Sequence, residues 1–288
     1  MIYVQAAISG ILVGGLFGLM AVGLTLGWGL LKVINLAHFA MILLSGYLTY
    51  ELATSLRIDP IATVLVTAPL MFVVGAALQW GFQVRRVSEF NTLLVSFGLF
   101  IATIQLISNV WSADFRRMPA DVNPYATGAL AIGPLAFPVP TLIAFIVAAA
   151  VVAIGWLALE RTYAGRALRA FAQDREIAAA FGIDHGRLGI VLGGAAGATG
   201  AIAGMLFAIE GTLTPNAAFE WIGIVFAVVI IGGVGNVVGT LIAGSAIMLV
   251  AGIVSVAWSP SAAPFVVFSA IVLALLFRPR GVFARSTA

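Results

Sequence analysis

The chain contains no cysteine. That excludes a disulfide framework and a thiolate metal site. Histidine is almost as scarce, with His38 and His185 alone in 288 residues. No Ser-His-Asp set, paired-carboxylate site or His/Cys metal spacing can be picked out. The phosphate-cradling pattern G-x-x-x-x-G-K-[ST] is also missing, which excludes nucleotide binding through a P-loop in this chain. Neither an enzyme nor a cofactor protein is expected. Charge is scarce as well: Asp, Glu, Lys and Arg make up 9%, against about 25% in soluble domains. The pI near 9.7 raises the question of nucleic acid, but a net charge of +3 is too small to support it. No nucleic-acid partner is expected.

What is present is hydrocarbon. Hydrophobic residues account for 62% of the chain. Charge-free runs cover 1–31, 33–50, 60–84, 90–113, 122–159, 188–209 and 221–277. A bilayer core needs roughly 20 apolar residues per helix, and most of these runs reach that length. Barrel strands would alternate in runs of about ten and are excluded. The expected fold class is therefore all-α: a polytopic transmembrane bundle of about eight or nine helices in contact with lipid. The first ten residues, MIYVQAAISG, lack the basic region of a signal peptide, so the first run is expected to persist as a helix.

The expected helices are 5–31, 36–56, 61–84, 92–111, 141–159 and 188–209. Gly10, Gly14 and Gly18 share one face of the first, a spacing that lets a neighbouring backbone come close. Segment 112–140 carries Pro119, Pro124, Pro134, Pro138 and Pro140 with Gly128 and Gly133. So many helix breakers predict a structured extracytoplasmic loop or short hairpin. Run 221–277 would be about 86 Å long as one helix and must fold back. Breaks are expected at 232–236 and 259–264, leaving short first and last pieces.

The charge that exists is concentrated. Nine of the charged residues fall in 160–187, ERTYAGRALRAFAQDREIAAAFGIDHGR. This loop reads as two short helices, 164–172 and 175–181. The first has Leu168, Phe171 and Ala172 on one face and Arg166, Arg169 and Gln173 on the other. Asp174 is a candidate N-cap for the second, and Gly182 a candidate stop. So many small apolar residues on water-facing helices point to a docking surface buried in a partner groove. Basic residues collect on the cytoplasmic side of a membrane. Placing this loop inside also places Lys32, Arg85, Arg86, Arg278, Arg280 and Arg285 inside, and leaves only Arg57, Arg116 and Arg117 outside. The expected orientation has the N-terminus out and the C-terminus in, with 1–288 as one transmembrane domain.

Two interruptions stand out in the apolar runs. Asn35 and His38 sit between the first two helices, and Gly232-Gly233-Val234-Gly235-Asn236 lies in the other half. Polar groups at membrane depth are costly unless they face a cavity or a partner. Irregular backbone is tolerated where it lines a path. One reading has Asn35, His38, Gly232, Gly233, Gly235 and Asn236 lining a solute path. The other has His38 at the interface, touching headgroups.

Three stretches carry a resemblance to a known family: GLTLGWGLLKVINLAH at 23–38, TYAGRALRAFAQD at 162–174 continuing to 184, and IIGGVGNVVGT at 230–240 with RPRG at 278–281. The chain resembles the LivH-type permease subunits of bacterial branched-chain amino acid importers, over essentially its whole length. The resemblance implies a subunit of the inner (cytoplasmic) membrane that forms half of an ATP-driven translocation path. It also implies four kinds of contact: a second, LivM-like permease, two cytoplasmic ATPases and an extracytoplasmic solute-binding protein, with lipid around. It marks 160–187 as the ATPase-coupling loop, with Gly165, Arg166, Leu168, Arg169, Phe171, Asp174, Phe181 and Gly182 as the coupling residues. One departure matters. The family usually follows the histidine with glycine and an acid, whereas Phe39 and Ala40 stand here. A related permease for a sugar, amide, urea or aromatic compound is therefore the alternative. A secondary transporter would need a membrane-buried acid, but Glu51, Glu210 and Glu220 fall near expected helix ends.

Overall fold

The structure, a computed structural model, describes residues 1–277. Arg278, Arg280, Arg285 and the 278–281 motif lie outside the described residues, as do the side chains of residues 175, 176, 274, 275 and 277.

Backbone groups that cannot reach water must bond to each other, so long apolar runs become helices. The helices are α1 (Ile2–Leu26), extended by a π-helical turn (Gly27–Leu31), α2 (Ala37–Leu56), α3 (Val64–Val84), α4 (Glu89–Trp111), α5 (Val139–Arg161), α6 (Tyr163–Gln173), α7 (Arg175–Ala180), α8 (His185–Glu210), α9 (Ala217–Gly232), α10 (Val237–Ala257) and α11 (Ala262–Phe277). A hairpin of β1 (Ala129–Ile132) and β2 (Leu135–Pro138) sits between α4 and α5. Gly133 supplies its left-handed residue at φ +60°. Helix α3 starts later than expected because Asp59 Oδ1 accepts from the backbone of Ile61, holding a turn ahead of the helix. Among the described residues, seven helices are long and apolar enough to cross a membrane: α1 with its π turn, α2, α3, α4, α5, α8 and α10. Helices α9 and α11 are apolar but shorter.

Hydrogen bonds sort the bundle into two ends. At one end Gln5 exchanges two bonds with the backbone of Ala136. Trp111 donates to Glu51, Tyr125 to Asp59, and Asn123 to the Ile209 carbonyl. Arg57 pairs with Asp121 at 2.6 Å, and Arg116 and Leu213 exchange backbone bonds. The 112–138 segment is thus tied to both halves of the chain. At the other end lie Leu31, Arg86 and His185, which line one cavity. Lys32, Arg85, Arg86 and the charged insertion share that end, opposite Arg57, Arg116 and Arg117. Helix α9 follows Leu213 at the hairpin end and leads to Gly235, which meets Gly29 at the other. Its 16 residues reach about 24 Å, so it traverses the bundle rather than turning back midway.

Glycine decides which helices touch. Helix α10 runs antiparallel to α1, with Gly10 against Met248, Gly14 against Gly244 and Gly18 against Leu241. A Cβ on Gly18 would lie 2.8 Å from Leu241 Cα. This is the face the glycine spacing predicts. Gly75 of α3 meets Gly193 and Gly197 of α8, and Gly46 of α2 meets Gly204. Lipid gives helices no hydrophobic drive to associate, so this backbone proximity supplies the dispersion contact. The core between them holds Leu19, Met20, Phe39, Ile42, Tyr47 and Leu206, all buried.

Candidate functional site

The two interruptions foreseen in the sequence meet in space. At the first, Gly27–Leu31 winds as a π turn, and the Lys32 N–H reaches back to the Gly27 carbonyl. Lys32 is left-handed at φ +59°, so the chain leaves the helix there. Asn35 Oδ1 then accepts from Ala37 N at 3.0 Å and starts α2. At the second, Gly233 and Gly235 are both left-handed at φ +86°, a conformation that suits glycine. Asn236 Oδ1 accepts from Gly239 N at 3.0 Å and caps α10. Between the breaks, Gly235 N donates to Thr25 Oγ1 at 2.9 Å, and Gly29 lies flat on the Gly235 backbone. Gly232 packs on Gly239, where a Cβ would come within 2.7 Å of the carbonyl. Gly232 and Gly233 are buried, while Asn35, Gly235 and Asn236 are half-buried.

His38 does not sit at the interface, the second reading open to it from sequence. It is 2% exposed, so it touches no headgroup. Its Nε2 donates to the Met20 carbonyl at 2.9 Å, and its ring fills the gaps left by Gly23 and Gly200. Its Nδ1 has no partner among the described residues. A cavity of about 20 Å³ is lined by His38, Asn35, Gln79 and Gly193, enough for roughly one water. Phe39 and Ala40, where the resemblance leads one to expect glycine and an acid, are both buried. Phe39 stacks on Phe226 at 6.3 Å, and Trp28 tilts against the same ring at 6.0 Å. An acid at position 40 would have no water here.

The charged insertion forms the two helices expected. Thr162 Oγ1 accepts from Gly165 N and caps α6. Asp174 Oδ1 accepts from Ile177 N at 2.9 Å and caps α7. Gly182 stops α7 at φ +76°. A Cβ on Gly165 would collide with the last carbonyls of α5, so the tight α5–α6 corner requires glycine. The orientation of the apolar face differs from expectation. Leu168 and Phe171 are 7% and 5% exposed, because α6 lies against its own bundle and Phe171 stacks on His185 at 5.4 Å, interplanar angle 4°. They are not open to a partner. Arg169 pairs with Glu160 and is half-buried, while Arg166 and Asp174 are exposed. Of the large apolar residues named from sequence, Phe181 alone points outward, at 81% exposure. Tyr163 and Ile177, not singled out from sequence, stand out with it. The i, i+4 spacing of Ile177 and Phe181 was the available signal.

The sequence reading also missed a cavity of about 420 Å³ at this end, whose walls include Gln79, Gln83, Arg86 and Glu89.

A family model described as branched-chain amino acid transport system, permease component, matches residues 6–278. The chain is 25% identical over 302 aligned positions to the high-affinity branched-chain amino acid transport system permease protein LivH of Escherichia coli K12, covering 98% of this chain and 96% of that one. It is 23% identical over 299 positions to the corresponding protein BraD of Pseudomonas aeruginosa, with the same coverage. No solved structure matches the chain.

Proposed function

The chain belongs to the family of permease components of branched-chain amino acid transport systems, and on that premise we propose that it forms half of the translocation path of an ATP-driven importer for branched-chain amino acids. It is a multi-pass membrane permease subunit with all-α architecture. The observation that carries the proposal is the family match across 6–278. Its partners on this reading are a second, LivM-like permease, two cytoplasmic ATPases and an extracytoplasmic solute-binding protein. The juxtaposed breaks around Gly29 and Gly235 support a path on that flank, with Asn35, Gly232, Gly233 and Asn236 shaping it and His38 holding α1, α2 and α8 together from behind. The insertion supports ATPase coupling through its outward residues Arg166, Asp174 and Phe181. Gly165 and Gly182 set the corners, and Leu168, Arg169 and Phe171 seat α6.

The orientation follows from which end holds the basic residues. With the insertion in the cytoplasm, the N-terminus lies outside and the C-terminus inside the bacterial inner membrane. Cysteines test this, because the natural chain has none. At the exposed Thr127 a cysteine should react with an impermeant thiol reagent in intact cells. At the exposed Gln173 it should react only in opened membranes. The reverse pattern would invert the orientation.

The function itself is tested in proteoliposomes holding the four-subunit complex and its binding protein. Saturable, ATP-dependent uptake of leucine, isoleucine and valine is expected, with little uptake of urea, amides or sugars. ATP-independent uptake driven by an ion gradient would overturn the reading. So would a preference for one of the other solutes.

A further inference from the structure

The cavity of about 420 Å³ lies within the range of small-molecule sites, about 300–1,000 Å³. Four elements that are distant in sequence build it: the chain after the π turn, the end of α3 with the α3–α4 turn, the face of Phe171 and the start of α8. Among its lining residues is the buried Gln79, 8% exposed. No described residue hydrogen-bonds to the Gln79 amide, which lines the cavity. Gln79 also lines the smaller cavity beside Asn35 and His38, and Leu31 and Val33 line both as well, so the chamber adjoins the first helix break. Leu31, Phe82 and Val87 form an apolar wall.

The mouth carries two opposite charges three residues apart, Arg86 and Glu89, both exposed. Arg86 is left-handed at φ +47°, an unfavourable conformation for a residue with a Cβ. Neither side chain has an ion-pair partner among the described residues, so neither charge is consumed by the fold. A sugar or urea has no use for a split pair of charges beside an apolar wall. A zwitterion with a hydrocarbon side chain uses every part of it.

We propose that this chamber binds a free, apolar α-amino acid on the exit side of the path. Arg86 takes the α-carboxylate through its planar fork, with Gln83 beside it. Glu89 takes the α-ammonium, and Leu31, Phe82 and Val87 take the side chain. The site rests on the import reading above and on the orientation that puts this end in the cytoplasm.

The test uses the permease–ATPase complex in nanodiscs without binding protein. Equilibrium dialysis compares L-leucine with leucinamide, which lacks the carboxylate, and 4-methylpentanoate, which lacks the ammonium. L-leucine should bind, and each analogue should bind about tenfold or more weakly, the scale of one charge-assisted hydrogen bond. Arg86→Gln should lose the preference for leucine over leucinamide yet keep the preference over 4-methylpentanoate. Glu89→Gln should do the opposite, and Arg86→Lys should restore part of the first preference. Unequal analogue effects of this kind do not arise from general loss of structure. If the wild-type complex imports leucine in the proteoliposome assay but both variants discriminate as it does in dialysis, the site is wrong and the import reading stands. If the wild-type complex imports no leucine, both fall.

Discussion

Helices α6 and α7 belong to one charged insertion, yet they use their apolar residues in opposite ways. In α6, Leu168 and Phe171 turn inward, and the helix is a fixed extension of the bundle. Around α7 the large residues Ile177 and Phe181 turn outward, joined by Tyr163 at the start of α6, while Ala178 holds the inner side. The difference separates two jobs that composition merges. The inward face ties the insertion to the π turn and α8, and the outward face is left for something else to cover. Leu31 beside the first break and Phe171 line the same chamber.

Phe171 is the most sensitive of the inward positions. Burying a carboxylate there removes a packed ring and leaves an unpaired charge. Phe171→Asp is expected to cost about 3–5 kcal/mol or more of local stability. Limited proteolysis of the folded complex should then cleave within 160–187, and the thermal midpoint should drop. An unchanged cleavage pattern would mean the inward face is not seated as described.

Gly165→Val comes next. Its side chain collides with the α5 carbonyls, and the same proteolytic opening is expected with a smaller shift in midpoint. A silent Gly165→Val would show that α6 can leave the corner without penalty. Smaller again is Arg169→Ala, which removes a half-buried pair with Glu160. About 1 kcal/mol is expected, diminishing with salt, read from thermal unfolding at two ionic strengths. Arg166→Ala, exposed and unpaired among the described residues, should leave stability within about 0.5 kcal/mol. A large thermal shift at Arg166 would erase the distinction between inner and outer positions.

Much of this arrangement was legible in the residues. The breaks at 232–236 and 259–264 were visible because glycine and proline interrupt a hydrocarbon run with nothing else in it. The α1–α10 contact was foreshadowed by Gly10, Gly14 and Gly18. The caps at Asp174 and Gly182 follow from local chemistry alone, and the structure places them as expected. What could not be read was direction. An amphipathic α6 has the same pattern whether Leu168 and Phe171 face the parent bundle or a partner, because periodicity records a face and not its occupant. His38 was ambiguous for a related reason. Its burial depends on Gly23 and Gly200, one of them 162 positions away. The chamber was invisible because Leu31, Gln79, Glu89 and His185 form no local pattern.

Co-purification of the ATPase subunits with Phe181→Asp permease tests the division of labour most directly. Phe181 is 81% exposed, so the bundle and its thermal midpoint should be unaffected. Covering such a ring in a partner groove contributes roughly 1.5–3 kcal/mol, or about 10- to 100-fold in affinity. The expected result is a stable permease pair that has lost its ATPases and its uptake. ATPases retained at the normal ratio, with uptake intact, would contradict the assignment of the outward face as the docking surface.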